Sequence, residues 1–97
     1  MNENFFILLR INSLITRMKQ EKNIECRKID FVGLKSMIGK LNELNSGNEY
    51  MNEKSGELLR NLKWLAHIDH PGHDDNVYME GINRAVSELR SDNYPFF

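Results

Sequence analysis

All three histidines of this 97-residue chain lie in one nine-residue segment, His67-Ile68-Asp69-His70-Pro71-Gly72-His73-Asp74-Asp75. Three imidazoles and three carboxylates in so short a stretch offer the nitrogen and oxygen donors that zinc or another divalent transition metal takes. His67, Asp69, His70, His73 and Asp75 are therefore the candidate metal ligands. The spacing argues against a ready-made site: a helical His-x-x-x-His pair sets both rings on one face, whereas Pro71 and Gly72 interrupt this set. The competing expectation is a solvated turn between two helices, with His67 at the negative end of one and Asp74 and Asp75 at the positive start of the next. Protonated histidines facing carboxylates in such a turn would respond to pH near the ordinary histidine value, about 6.5.

Other catalytic chemistry finds less support. Ser13, Ser36, Ser46, Ser55, Ser87 and Ser91 sit in no nucleophile-elbow context, and neither a Walker loop nor a dinucleotide fingerprint occurs. Cys26 is the single cysteine, so one chain builds no internal disulfide and no thiolate cluster; it is expected to be a buried or half-buried small hydrophobe in a charged connector. No enzyme activity and no cofactor are expected.

Charge is close to balanced overall, at −1, but unevenly placed. Residues 1–40 carry eight Lys or Arg against four acids, and residues 41–97 carry five against ten. Arg10, Arg17, Lys19, Lys22, Arg27 and Lys28 gather around the end of the first helix and would be the contacts of a nucleic-acid surface. Complementary halves packing on each other, or two subunits meeting head to tail, explain the same polarity.

Hydrophobic periodicity supplies the elements that must position these groups. The composition, 40% hydrophobic and 28% charged, is that of a globular chain, and 97 residues suit one helical domain spanning 1–97. Ile7, Leu8, Ile11, Leu14, Ile15 and Met18 predict a helix over about 4–20. Lys19 to Lys28 loses the pattern and reads as a connection. Asp30 then looks like the N-cap of a helix to about 45, with Phe31, Leu34, Met37, Ile38, Leu41 and Leu44 as its stripe. Met51, Ser55, Leu58, Leu62 and Leu65 predict a third helix over about 50–68, ended by Pro71. Tyr78, Ile82, Ala85, Val86 and Leu89 predict a fourth over about 75–91, capped by Asp74 or Asp75. The expected fold is an all-α bundle of about four helices with an aromatic C-terminal tail. Lys63-Trp64-Leu65-Ala66 and Tyr78 to Val86 resemble segments of small phage-encoded helical proteins, hinting at phage or mobile-element origin without naming a family.

Phe5, Phe6 and Leu9 at one end, and Tyr94, Phe96 and Phe97 at the other, exceed what four stripes require. Burying each is worth about 1.5–3 kcal/mol, so they either complete the core or form an interaction surface. The longest apolar run, Phe5 to Leu9, is far below the roughly 20 residues of a membrane span. With no basic leader, a cytoplasmic address is expected. The expected function is that of a non-enzymatic binding or regulatory protein, of inhibitor or adaptor type. It would engage a protein partner through these six residues and self-associate into a homo-oligomer. The alternatives are a metal- or ligand-sequestering protein using the His67–Asp75 turn, and a nucleic-acid binder using the basic cluster.

Overall fold

Leu8, Ile11, Ile15 and Met18 fall three or four residues apart and are sealed from solvent on the inner face of α1, Glu3–Gln20. The computed structural model describes residues 3–92, and side chains as far as residue 90. Three further helices follow: α2, Ile24–Leu44; α3, Glu49–Leu65; and α4, Asp75–Asp92. Among the described residues there is no strand.

The helices run up, down, up and down. Asn4, at the start of α1, exchanges side-chain amide hydrogen bonds of 3.2 and 3.1 Å with Asn45, just past the end of α2. At the opposite end Arg17 of α1 pairs with Asp30 of α2, and Arg27 of α2 donates to the Leu65 carbonyl at the close of α3. Lys54 Nζ of α3 stands 2.7 Å from Glu88 Oε2 of α4, and Lys19 of α1 donates to Asn83 of α4. One core results, in which Leu34, Ile38 and Leu41 of α2 meet Leu58, Leu62 and Leu65 of α3 and Tyr78, Ile82, Ala85 and Leu89 of α4. Ser55 buries its hydroxyl beside this core, donating to the Met51 carbonyl at 2.8 Å within α3. Gly81 marks the close approach of α3 and α4: a Cβ there would stand 2.3 Å from Asn61 Oδ1.

Two boundaries differ from the sequence expectation. Helix α2 begins six residues before Asp30, because Asn23 is its N-cap, accepting from the backbone N–H groups of Glu25 at 2.9 Å and Cys26 at 3.4 Å. Asp30 instead lies inside the helix, buried against α1. Cys26 is therefore in the first turn of α2, and it is exposed rather than a buried hydrophobe. Leu44, expected in the buried stripe, is 44% exposed. Helix α3 stops at Leu65, short of Ile68. His67 N donates to the Trp64 carbonyl and Ile68 N to the Lys63 carbonyl, with His67 at a φ of 59°. This is the hydrogen-bond pattern of a Schellman motif, with histidine in the left-handed position glycine usually takes. No helix of the described chain is long and apolar enough to cross a membrane.

Candidate functional site

The turn from Ala66 to Asp74 is held by three buried or half-buried side chains from outside it. Arg27 reaches in from α2, Trp64 packs from the last turn of α3, and Tyr78 rises from the first turns of α4. Arg27 Nη1 donates both to the Leu65 carbonyl at 3.0 Å and to Asp75 Oδ2 at 2.8 Å, while its Nε donates to the Glu21 carbonyl at 2.6 Å. One planar guanidinium thus ties the α1–α2 connection, the end of α3 and the start of α4 together, which a point-like ammonium could not do at the same three positions.

The other Asp75 oxygen, Oδ1, lies 2.9 Å from His67 Nε2. Burial pushes the Asp75 carboxyl upward, but the hydrogen bonds from His67 and Arg27, together with the Arg27 charge, outweigh it and hold the group below its ordinary value of 3.8. His67 stacks on His70, with ring centroids 4.7 Å apart. The Gly72 N–H donates to His70 Nδ1 at 3.3 Å. The Tyr78 hydroxyl lies 3.1 Å from the same Nδ1 and accepts from the His73 N–H at 2.9 Å. Tyr78 is fully buried and also packs against Trp64, with centroids 5.8 Å apart.

These contacts divide the five candidate ligands rather than converge them. His67 and Asp75 face each other, His70 faces Tyr78, the His73 side chain is exposed, and the exposed Asp69 lies 3.9 Å from Lys63. Among the described residues no group of three or more His, Cys, Asp or Glu side chains is arranged to hold a metal ion. What the arrangement does chemically is fix a nine-residue connection whose backbone takes two non-glycine left-handed residues, His67 and Asp69, together with Gly72 at a φ of 90°.

The basic cluster is likewise spent on internal contacts. Arg27 is buried, Arg17 pairs with Asp30, Lys19 bonds Asn83, and Lys28 lies 3.4 Å from Glu25. Of the six candidates Arg10 and Lys22 are left exposed with no ion pair among the described residues.

Of the apolar candidates, Phe5 is half-buried with its ring edge-on to Phe6, while Phe6 and Leu9 are 53% and 47% exposed. Tyr94, Phe96 and Phe97 lie outside the described residues. Beside Leu9 a shallow notch of about 220 Å³ is lined by Arg10, Ser13 and Leu14. A second apolar exposure, Ile29 and Val32 on the outer face of α2, lies off the stripe that periodicity picks out. Sequence reasoning also passed over a groove between α2 and α3 floored by Phe31, Leu59 and Ile68.

Compared with protein families, curated proteins and solved structures, the chain matches none.

Proposed function

We propose that this is a non-enzymatic binding protein whose contact surface is the outer face of α1, and that a second copy of the chain is one partner it engages there. The observation that carries the reading is the pairing of a knob with a hole on one helix. Phe6 stands half-exposed, and the notch formed by Leu9, Arg10, Ser13 and Leu14 lies about one to two turns further along the same helix. An antiparallel two-fold pairing of α1 with its copy seats each Phe6 in the other's notch, an isologous contact. The same pairing sets the exposed Glu3 of one copy near Arg17 of the other, whose guanidinium pairs with Asp30 in its own chain while its side chain stays 64% exposed. Arg10, near the axis, is its electrostatic cost.

The contact is small. Covering the exposed half of a Phe or Leu is worth about 1 kcal/mol, so four such side chains supply about 4 kcal/mol, no more than the lower estimates of what association costs. Self-association through this face is therefore weak and transient. A partner with a deeper apolar pocket for Phe6 would bind more tightly.

Sedimentation equilibrium from about 10 µM to 1 mM tests this reading. The expected result is a mass rising above that of the monomer with concentration, and a Phe6→Ser/Leu9→Ser double variant that stays monomeric. A wild-type chain that is monomeric throughout, or a double variant that associates equally, overturns it.

A further inference from the structure

The groove between α2 and α3 is lined by three charged side chains, all of them basic. Its volume is about 400 Å³, within the range of small-ligand sites. Phe31, Leu59 and Ile68 form an apolar floor, and the charged residues around it are Lys35 from α2 and Arg60 and Lys63 from α3. The ion pair Lys63 makes is a long surface contact of 3.9 Å to Asp69, which is itself 84% exposed. Lys35 and Arg60 make no ion pair among the described residues, although the chain as a whole carries more acids than bases. Three cations gathered over an apolar floor repel one another, an arrangement that an anion relieves.

Gly56 adds a second, independent observation. It lines the groove from within α3, where glycine weakens a helix relative to alanine. Close packing does not require it, since a Cβ there would meet nothing within 4 Å. What the missing side chain does is leave the groove open. At the other end Ile68 closes the floor, carried there by the left-handed turn at His67.

We propose that this groove binds an organic anion, with an apolar or aromatic body on Phe31, Leu59 and Ile68 and a phosphate or carboxylate group held by Arg60, Lys35 and Lys63. A small molecule fits better than an acidic helix, because the walls from Gly56 to Lys63 run only two turns, about 10 Å. Arg60 supplies the planar fork that matches an oxyanion, and the two lysines add charge on either side.

The test uses 2-naphthyl phosphate, titrated into the isotope-labelled full chain and followed by amide chemical shifts. Neutral 2-naphthol and inorganic phosphate serve as the two arms that separate the apolar from the anionic contribution. Saturable shifts are expected at Phe31, Lys35, Leu59, Arg60, Lys63 and Ile68, with each arm binding at least about tenfold more weakly. Gly56→Leu, which fills the groove while favouring the helix, should weaken binding by about tenfold or more with the fold intact by circular dichroism, and Lys35→Gln/Arg60→Gln should do the same. Absence of saturable shifts at these residues up to about 5 mM overturns the proposal. So does 2-naphthol binding as well as the phosphate, or a folded Gly56→Leu that binds unchanged. Tighter binding of an acidic peptide than of 2-naphthyl phosphate would likewise overturn it in favour of a macromolecular partner.

Discussion

Replacing Arg27 by Met should cost this protein about 3–4 kcal/mol, although the sequence places Arg27 among solvated surface charges. The Arg27 side chain is 7% exposed and its partner Asp75 is 33% exposed. Breaking a buried ion pair costs about 3–5 kcal/mol because it strands the remaining charge, and partial exposure of Asp75 moves the value to the lower part of that range. Loss of the donor to the buried end of α3 at Leu65 adds about 1 kcal/mol. Met restores much of the aliphatic packing, so the loss reports polar contacts rather than volume. With total stability of about 5–15 kcal/mol, this is a large fraction of what holds the bundle. The assay is urea unfolding followed by Trp64 fluorescence, since Trp64 packs against Tyr78 beside the turn. The midpoint should fall by about 2 M at unchanged slope. Arg27→Lys keeps the charge but not the three-way reach and should lose about half as much. A double-mutant cycle with Asp75→Asn should give a coupling of about 1 kcal/mol or more. Arg10→Met, on the exposed face of α1, should change stability by less than about 0.5 kcal/mol. If Arg27→Met loses less than about 1 kcal/mol, the guanidinium is not the tie between the helix ends, and the reasoning fails.

Three further outcomes are expected. Asn23→Ala should destabilise by about 1 kcal/mol in thermal unfolding, because it removes the N-cap of α2; no effect would mean the helix starts elsewhere. Gly39→Ala should stabilise by about 0.5–1 kcal/mol, since the position is helical and exposed and a Cβ meets nothing within 4 Å; a loss would show that the glycine is needed for close packing. The third outcome concerns acid. Asp75 has a native value held below 3.8, so the unfolded chain takes up its proton first as pH falls; the stability this group contributes is full above about pH 5 and is lost as pH drops below 3.8. Stability measured from about pH 6 to 2.5 should therefore fall less steeply in Asp75→Asn than in the wild type, and parallel curves would contradict the assignment.

The inner faces of α1, α3 and α4 were legible in the sequence because their buried positions are nearly all apolar and recur at helical spacing. The start of α2 was not legible because two of its buried positions are Arg27 and Asp30. Positions 27, 30, 31, 34, 38 and 41 form one continuous helical stripe, yet a count of apolar residues sees it begin only at Phe31. A buried charge becomes readable as core once its partners are known, and Glu21, Leu65 and Asp75 lie far apart in the chain. The available signal was Asn23 followed by the acidic Glu25, an N-cap with negative charge in the first turn. The end of α3 is hard to place for a related reason: histidine, at His67, takes the left-handed position that glycine usually marks. The histidine cluster is visible in sequence as a list of donors, but side-chain direction decides whether three or more converge, and among the described residues they do not. Exposure of Phe6 beside a notch on its own helix is a matter of shape that periodicity does not carry.

The contact surface on α1 is tested most directly by isotope-filtered nuclear Overhauser measurements on an equimolar mixture of labelled and unlabelled chain at about 1 mM, where a transient dimer is populated. The account predicts intermolecular contacts from the Phe6 ring to Ser13 and Leu14 of the second copy. Their absence, or intermolecular contacts confined to helix faces that lack Phe6 and Leu9, would contradict it.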